Sequence, residues 1–161
     1  MLKALLNLFP TKTVYAHCDI PCGIYDPNRL QQAAHTVLRM TDMITDLHSD
    51  EDESGKKFGH QLTRLVMIKE EHAEIAKHEV IILFGDYFKP EHHEKFPEIN
   101  ELVLKVLKTA SKTKQEINKE AAEELLSLTQ QIAEIFYKTK GLEPVRVKSP
   151  YPTEGELVLY K

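Results

Sequence analysis

Hydrophobic side chains return every three or four residues along four stretches of this chain, the spacing of helices that bury one face. Leu30, Ala33, Val37, Thr41, Ile44 and Leu47 mark the first stretch. Asp26 is placed to cap it, with Pro27 in the first helical position. The run 48–55 is too polar and charged to pack, so it reads as a loop. A second helix is predicted over about 58–84, with Leu62, Leu65, Ile68, His72, Ile75, Ala76, Val80 and Leu83 near one face. Gly85-Asp86 should end it, and the connector 86–97 is rich in aromatics and prolines. The third helix carries Ile99, Leu102, Val103, Val106, Leu107 and Ala110. The fourth carries Ala121, Leu125, Leu128, Ile132, Ile135 and Phe136, and stops near Gly141. Short connections between four such segments predict an all-α fold, an antiparallel four-helix bundle. Beyond Pro144, Val145-Arg146-Val147 and Leu157-Val158-Leu159-Tyr160 alternate only weakly, as a short irregular or weakly extended C-terminal tail.

Composition narrows what the bundle can do. With 161 residues, 42% hydrophobic and 29% charged, the chain can bury one core and keep a solvated surface. No apolar run approaches the roughly 20 residues that span a bilayer, so no membrane role is expected. The net charge is −4 and no basic stripe with interleaved aromatics occurs, which argues against nucleic acid. Near the N-terminus, Ala4, Leu5, Leu6, Leu8 and Phe9 form an apolar patch short for a secretory signal, although Val14 and Ala16 fit a small-residue cleavage pattern. The expected compartment is cytoplasmic, and export by this segment stays open.

A bundle does not specify chemistry. None of the eight histidines has a glutamate three residues before it, as di-iron bundles require. The His-Glu-x-x-His pattern, a Gly-rich phosphate loop and a Gly-x-Ser-x-Gly elbow are also absent. What remains is His17-Cys18-Asp19-Ile20-Pro21-Cys22-Gly23-Ile24-Tyr25. Two cysteines in a chain this long are no disulfide framework, and a bridge four residues apart would close a tiny loop. Two thiolates at this spacing suit a soft or borderline metal. The residues alone leave three readings: two incidental thiols with a reversible disulfide, a zinc site one ligand short, or another metal centre.

The motif His17-Cys18-Asp19-x-Pro21-Cys22-Gly23-x-Tyr25 resembles the nickel hook of nickel-containing superoxide dismutases. Similar segments continue through Asp26-Pro27, Ile68-Lys69-Glu70, Ala76-Lys77-His78, Asp86-Tyr87-Phe88-Lys89-Pro90 and Glu94-Lys95-Phe96-Pro97-Glu98. The resemblance spans roughly residues 1–140. It implies a leader, residues 1–16, removed by a processing peptidase between Ala16 and His17. Residues 17–25 would then be the hook, 26–140 the bundle and 141–161 the tail. It further implies one nickel ion per subunit, held by the new His17 amine, the Cys18 amide nitrogen and the thiolates of Cys18 and Cys22. The adjacent amine, amide and thiolate close five-membered chelate rings that favour a square-planar site. Oxidation to Ni(III) would bring the His17 imidazole in as an axial ligand. The implied reaction converts two superoxide ions to dioxygen and hydrogen peroxide, in a homohexamer that shelters the hooks.

The resemblance also assigns supporting roles. Tyr25 matches a gate residue near the open face, and Asp19 and Pro21 would shape the hook. Tyr87 and Lys89 lie in the connector expected to pack over it, with Tyr87 near Tyr25. The family's best-known branch holds the axial imidazole with a glutamate and an arginine; the aligned residues here are Ala33 and His72. His72 is therefore a candidate supporting residue rather than an equivalent one. A net-negative chain cannot attract an anion from afar, so any steering must come from lysines placed locally. The alternative function is a non-enzymatic metal-binding or thiol-redox module, which would need no cleavage before His17.

Overall fold

Asp26 opens the first helix through its side chain, one position earlier than a cap residue would stand. Helix α1 spans Asn28–Thr45 with Pro27 in the cap position, and Asp26 Oδ1 accepts the Asn28 N–H at 2.6 Å. Leu30, Ala33, Ala34, Val37 and Ile44 turn inward, along the expected stripe. The computed structural model describes residues 22–48 and 55–161. The hook residues His17, Cys18, Asp19 and Pro21, and the leader, lie outside the described residues.

Helix α2 covers Lys56–Ile82. It does not break at Gly85-Asp86 as expected; it widens into a π-helical turn, Leu83–Tyr87, closed by the Phe88 N–H donating to Leu83 O at 2.8 Å. The connector also contains a short helix α3, Pro90–Lys95, before α4, Ile99–Gln115, and α5, Lys119–Thr139. Asn118 caps α5 by accepting the Ala121 N–H at 2.8 Å. Side-chain pairs fix the helix directions. Arg29 at the start of α1 meets Glu79 near the end of α2, and Asp42 near the end of α1 meets Lys119 at the start of α5. The four long helices close a ring, α1 against α2 and α5, α4 against the same two. Val37, Ala76, Val80, Val106, Leu125 and Ile132 are fully excluded from water at its centre. Burying each of the larger side chains stabilises the fold by roughly 1.5–3 kcal/mol.

The buried face of α2 differs from the predicted one. Ala73, Ala76 and Val80 point inward, but Leu62 and Leu65 are only half-buried and Ile68 is 38% exposed. The position that Ile68 was expected to fill belongs to Lys69, 2% exposed. Its ammonium donates to the Thr113 and Glu116 carbonyls, so a lysine from α2 caps the C-terminus of α4. A hydropathy pattern reads a lysine as a surface residue and rotates the helix accordingly; here the aliphatic stem is core and the head is a cap. Burial lowers the Lys69 pKa, opposed by the charge of Glu70.

The C-terminal segment takes the extended one of its two expected forms and pairs with itself. Strands β1, Pro144–Lys148, and β2, Glu156–Tyr160, form an antiparallel hairpin in register Pro144↔Tyr160 to Lys148↔Glu156. A lone hairpin is marginal in water, and this one is held by side chains along the outer edge of β2. The Gln31 amide both donates to Val158 O (3.0 Å) and accepts the Val158 N–H (2.8 Å), as a neighbouring strand would. Gln130 and His35 both reach Glu156 O, at 2.7 and 3.1 Å. Val158 is fully buried beneath them. Glycine is needed at 155, where a Cβ would stand 2.9 Å from His35 Cε1.

Candidate metal centre

Cys22 begins the described chain and is exposed; Gly23 follows with φ +71°, a left-handed turn that glycine adopts without strain. Ile24 points to solvent, and Tyr25 is the first side chain to dock on the bundle. Three residues of chain reach at most about 11 Å, so the Cys22 thiol is tethered close to wherever Tyr25 is anchored.

That anchor is Tyr87. The two rings lie 5.4 Å apart at 49°. Tyr87 is itself fixed on several sides. Its ring packs on Phe136 (4.6 Å), Phe88 (5.3 Å) and stacks on His92 (5.5 Å). Its hydroxyl lies 2.6 Å from Thr139 Oγ1. Thr139 spends its own proton on Phe136 O, at 2.6 Å, so Tyr87 is the donor. Burial raises the Tyr87 pKa. The π-helical turn supplies this placement, since it ends on Tyr87 itself. Over the same ring sits the ammonium of Lys140, 4.8 Å from its centroid and 5.7 Å from that of Phe136.

The remaining sequence candidates fall elsewhere. Lys89 is exposed at the start of α3, and its backbone N–H donates to His92 Nδ1 at 3.1 Å. His72 is half-buried on α2, with Nδ1 2.9 Å from Ile68 O. It lines a cleft of about 460 Å³ between α1, α2 and the hairpin turn, together with Ala33, Arg29, Arg39 and Tyr151. The structure thus joins Tyr25 to Tyr87 in one cluster and Ala33 to His72 in another. Among the described residues no group of three or more His, Cys, Asp or Glu side chains is placed to hold a metal, and Cys22 is the one candidate ligand within them. Its sulfur, with a second cysteine four residues earlier, fits the soft donor chemistry that nickel accepts.

The family signature of nickel-containing superoxide dismutase matches residues 12–140. The chain belongs to the nickel-containing superoxide dismutase family. It is 40% identical over 137 residues to the nickel superoxide dismutase of Streptomyces coelicolor, covering 84% of this chain and 98% of that one. Identity to the Streptomyces seoulensis enzyme is 36% over 140 residues, with the same coverage. A solved native nickel superoxide dismutase superimposes with a TM-score of 0.67 at 39% identity, over 77% of this chain and 99% of the other. The hairpin, residues 144–160, lies beyond the segment that the nickel superoxide dismutase signature matches.

Sequence reasoning missed Phe136, Thr139 and Lys140 as neighbours of Tyr87. Phe136 was assigned to the core stripe alone, whereas Thr139 and Lys140 follow it by three and four residues and so share its face of α5. Nothing in the pattern says which connector residue that face receives.

Proposed function

We propose that this nickel superoxide dismutase disproportionates superoxide at a hook formed by His17, Cys18 and Cys22, after cleavage before His17 exposes its amine. Bound nickel supplies a one-electron couple at which one superoxide is oxidised and a second reduced. The chain's own residues do the rest. The His17 amine, the Cys18 amide nitrogen, both thiolates and the His17 imidazole would hold the ion. Asp19 and Pro21 shape the loop that brings them together. Tyr25, held by Tyr87, narrows the approach so that a diatomic anion passes and larger reductants do not. His72 takes the orienting role of the absent glutamate and arginine. Its Nδ1 lies 2.9 Å from Ile68 O, which leaves Nε2 as the ring atom that could reach the His17 imidazole through water.

The observation that carries this reading is the family match running through the hook, combined with a Tyr25–Tyr87 anchor three residues beyond Cys22. A homohexamer is part of the proposal; exposed Met67, Ile81, Phe84 and Leu104 are the apolar surface that favours self-association. So is a cytoplasmic location after processing, since the N-terminal apolar patch is short for a secretory signal. The test is metal and activity analysis of protein that starts at His17. About one nickel per chain and rapid dismutation are expected, both lost in Cys18→Ser. Stoichiometric zinc, or full activity in Cys18→Ser, would contradict the proposal.

A further inference from the structure

We propose that Lys140 is the local cation that guides superoxide to the hook, an inference that rests on the function proposed above. Losing the leader removes Lys3 and Lys12 and no acid, taking the net charge from −4 to −6. The molecule as a whole therefore repels its substrate. Most lysines with a defined position near acids are neutralised by them: Lys105 pairs with Glu101, Lys114 with Glu74, and Lys119 with Asp42. Such pairs cast little field into solvent. Lys140 has no carboxylate partner among the described residues. Its ammonium is held instead by the faces of Tyr87 and Phe136, which fix its position and leave its charge intact.

That position faces the substrate path. The distance from Lys140 Nζ to the Tyr87 centroid is 4.8 Å, and Tyr87 to Tyr25 is 5.4 Å, so the ammonium stands within about 10 Å of the gate ring. Asp26 and Asp86 adjoin the two tyrosines in sequence and both are exposed, so an uncompensated cation is needed to keep the approach from being acidic. One charge at this range, with water on one side and protein on the other, changes an anion's local concentration about 2- to 5-fold at low salt. Lys89, in the connector expected to pack over the hook, has no ring or carboxylate holding its ammonium in place among the described residues.

The experiment measures the second-order rate constant of the nickel-loaded protein starting at His17, between about 10 mM and about 0.5 M ionic strength. Lys140→Gln should lower it about 2- to 5-fold at low salt and flatten its salt dependence, and Lys140→Glu should lower it further. Both should converge on the parent rate at high salt, and Lys140→Arg should preserve parent behaviour throughout. Lys112→Gln, which removes the same charge from the far end of α4, should leave the rate unchanged. Nickel content and thermal midpoint are read on every variant. A deficit that persists at high salt, or an unchanged rate and salt slope in Lys140→Gln, would overturn the inference. An inactive parent would overturn the proposed function instead.

Discussion

Tyr137 shows how strongly the bundle acts on a single side chain. It lies on α5 beside Phe136 and is 2% exposed, and burial pushes its phenol up to about 12, helped by the negative charge of Asp26 and by Tyr160. In the unfolded chain the phenol ionises near 10, so between those values the unfolded state binds fewer protons than the folded one. Stability should therefore be intact below pH 10 and fall as pH rises toward 12, by up to about 2 kcal/mol from this group. Urea unfolding at about pH 9 and about pH 11.5 should show that loss, and Tyr137→Phe should remove much of it. An identical pH slope in the variant would contradict the assignment. Tyr87 is shifted the same way, but its hydroxyl has Thr139 as acceptor, and it serves as the seat for Tyr25. The family was legible in the motif from His17 to Tyr25, whereas the two thiols by themselves left three readings open. The Tyr87 surroundings were not legible, because ring packing between a connector and α5 leaves no trace in spacing.

Elements form as the hydrophobic period dictates where the buried residues are apolar. Helices α1, α4 and α5 follow their stripes closely, and the side chains of Asp26 and Asn118 accept backbone N–H groups at the starts of α1 and α5. Failures occur where a polar residue takes a core position. Lys69 turns α2 away from its Leu62–Leu65–Ile68 face, and the amides of Gln31 and Gln130 convert a weak alternation into a seated hairpin. The π-helical turn escapes notice for another reason: one extra residue per turn changes no residue type, and Gly85 reads more readily as a stop. Lys69 gives the sharpest test at this scale. Lys69→Met keeps the packed stem but strands the Thr113 and Glu116 carbonyls, which should cost about 1–3 kcal/mol. Chemical denaturation should find that loss, whereas Glu70→Gln on the same turn should change little. A Lys69→Met protein as stable as the parent would mean the cap contributes nothing.

For the molecule as a whole, the bundle positions an N-terminal segment and the hairpin closes the groove between α1 and α5. The family match ends at residue 140, so the hairpin lies outside the matched segment, yet it buries Val158 and completes the bonding of Gln31 and His35. Four helices could be read from the sequence, but a two-stranded addition whose partners are helix side chains could not. The charge balance belongs to this scale too: the proposed cleavage before His17 would leave a more acidic protein, which would place substrate attraction in local fields. The central claim is that an amine at His17 completes the metal site. The most direct measurement compares nickel-dependent superoxide dismutation by the chain beginning at His17 with that of the chain beginning at Met1, both offered the same nickel. The shorter protein should bind about one nickel and be active, and the longer one, whose His17 nitrogen is an amide, should be inactive. Equal activity in the two would contradict the account.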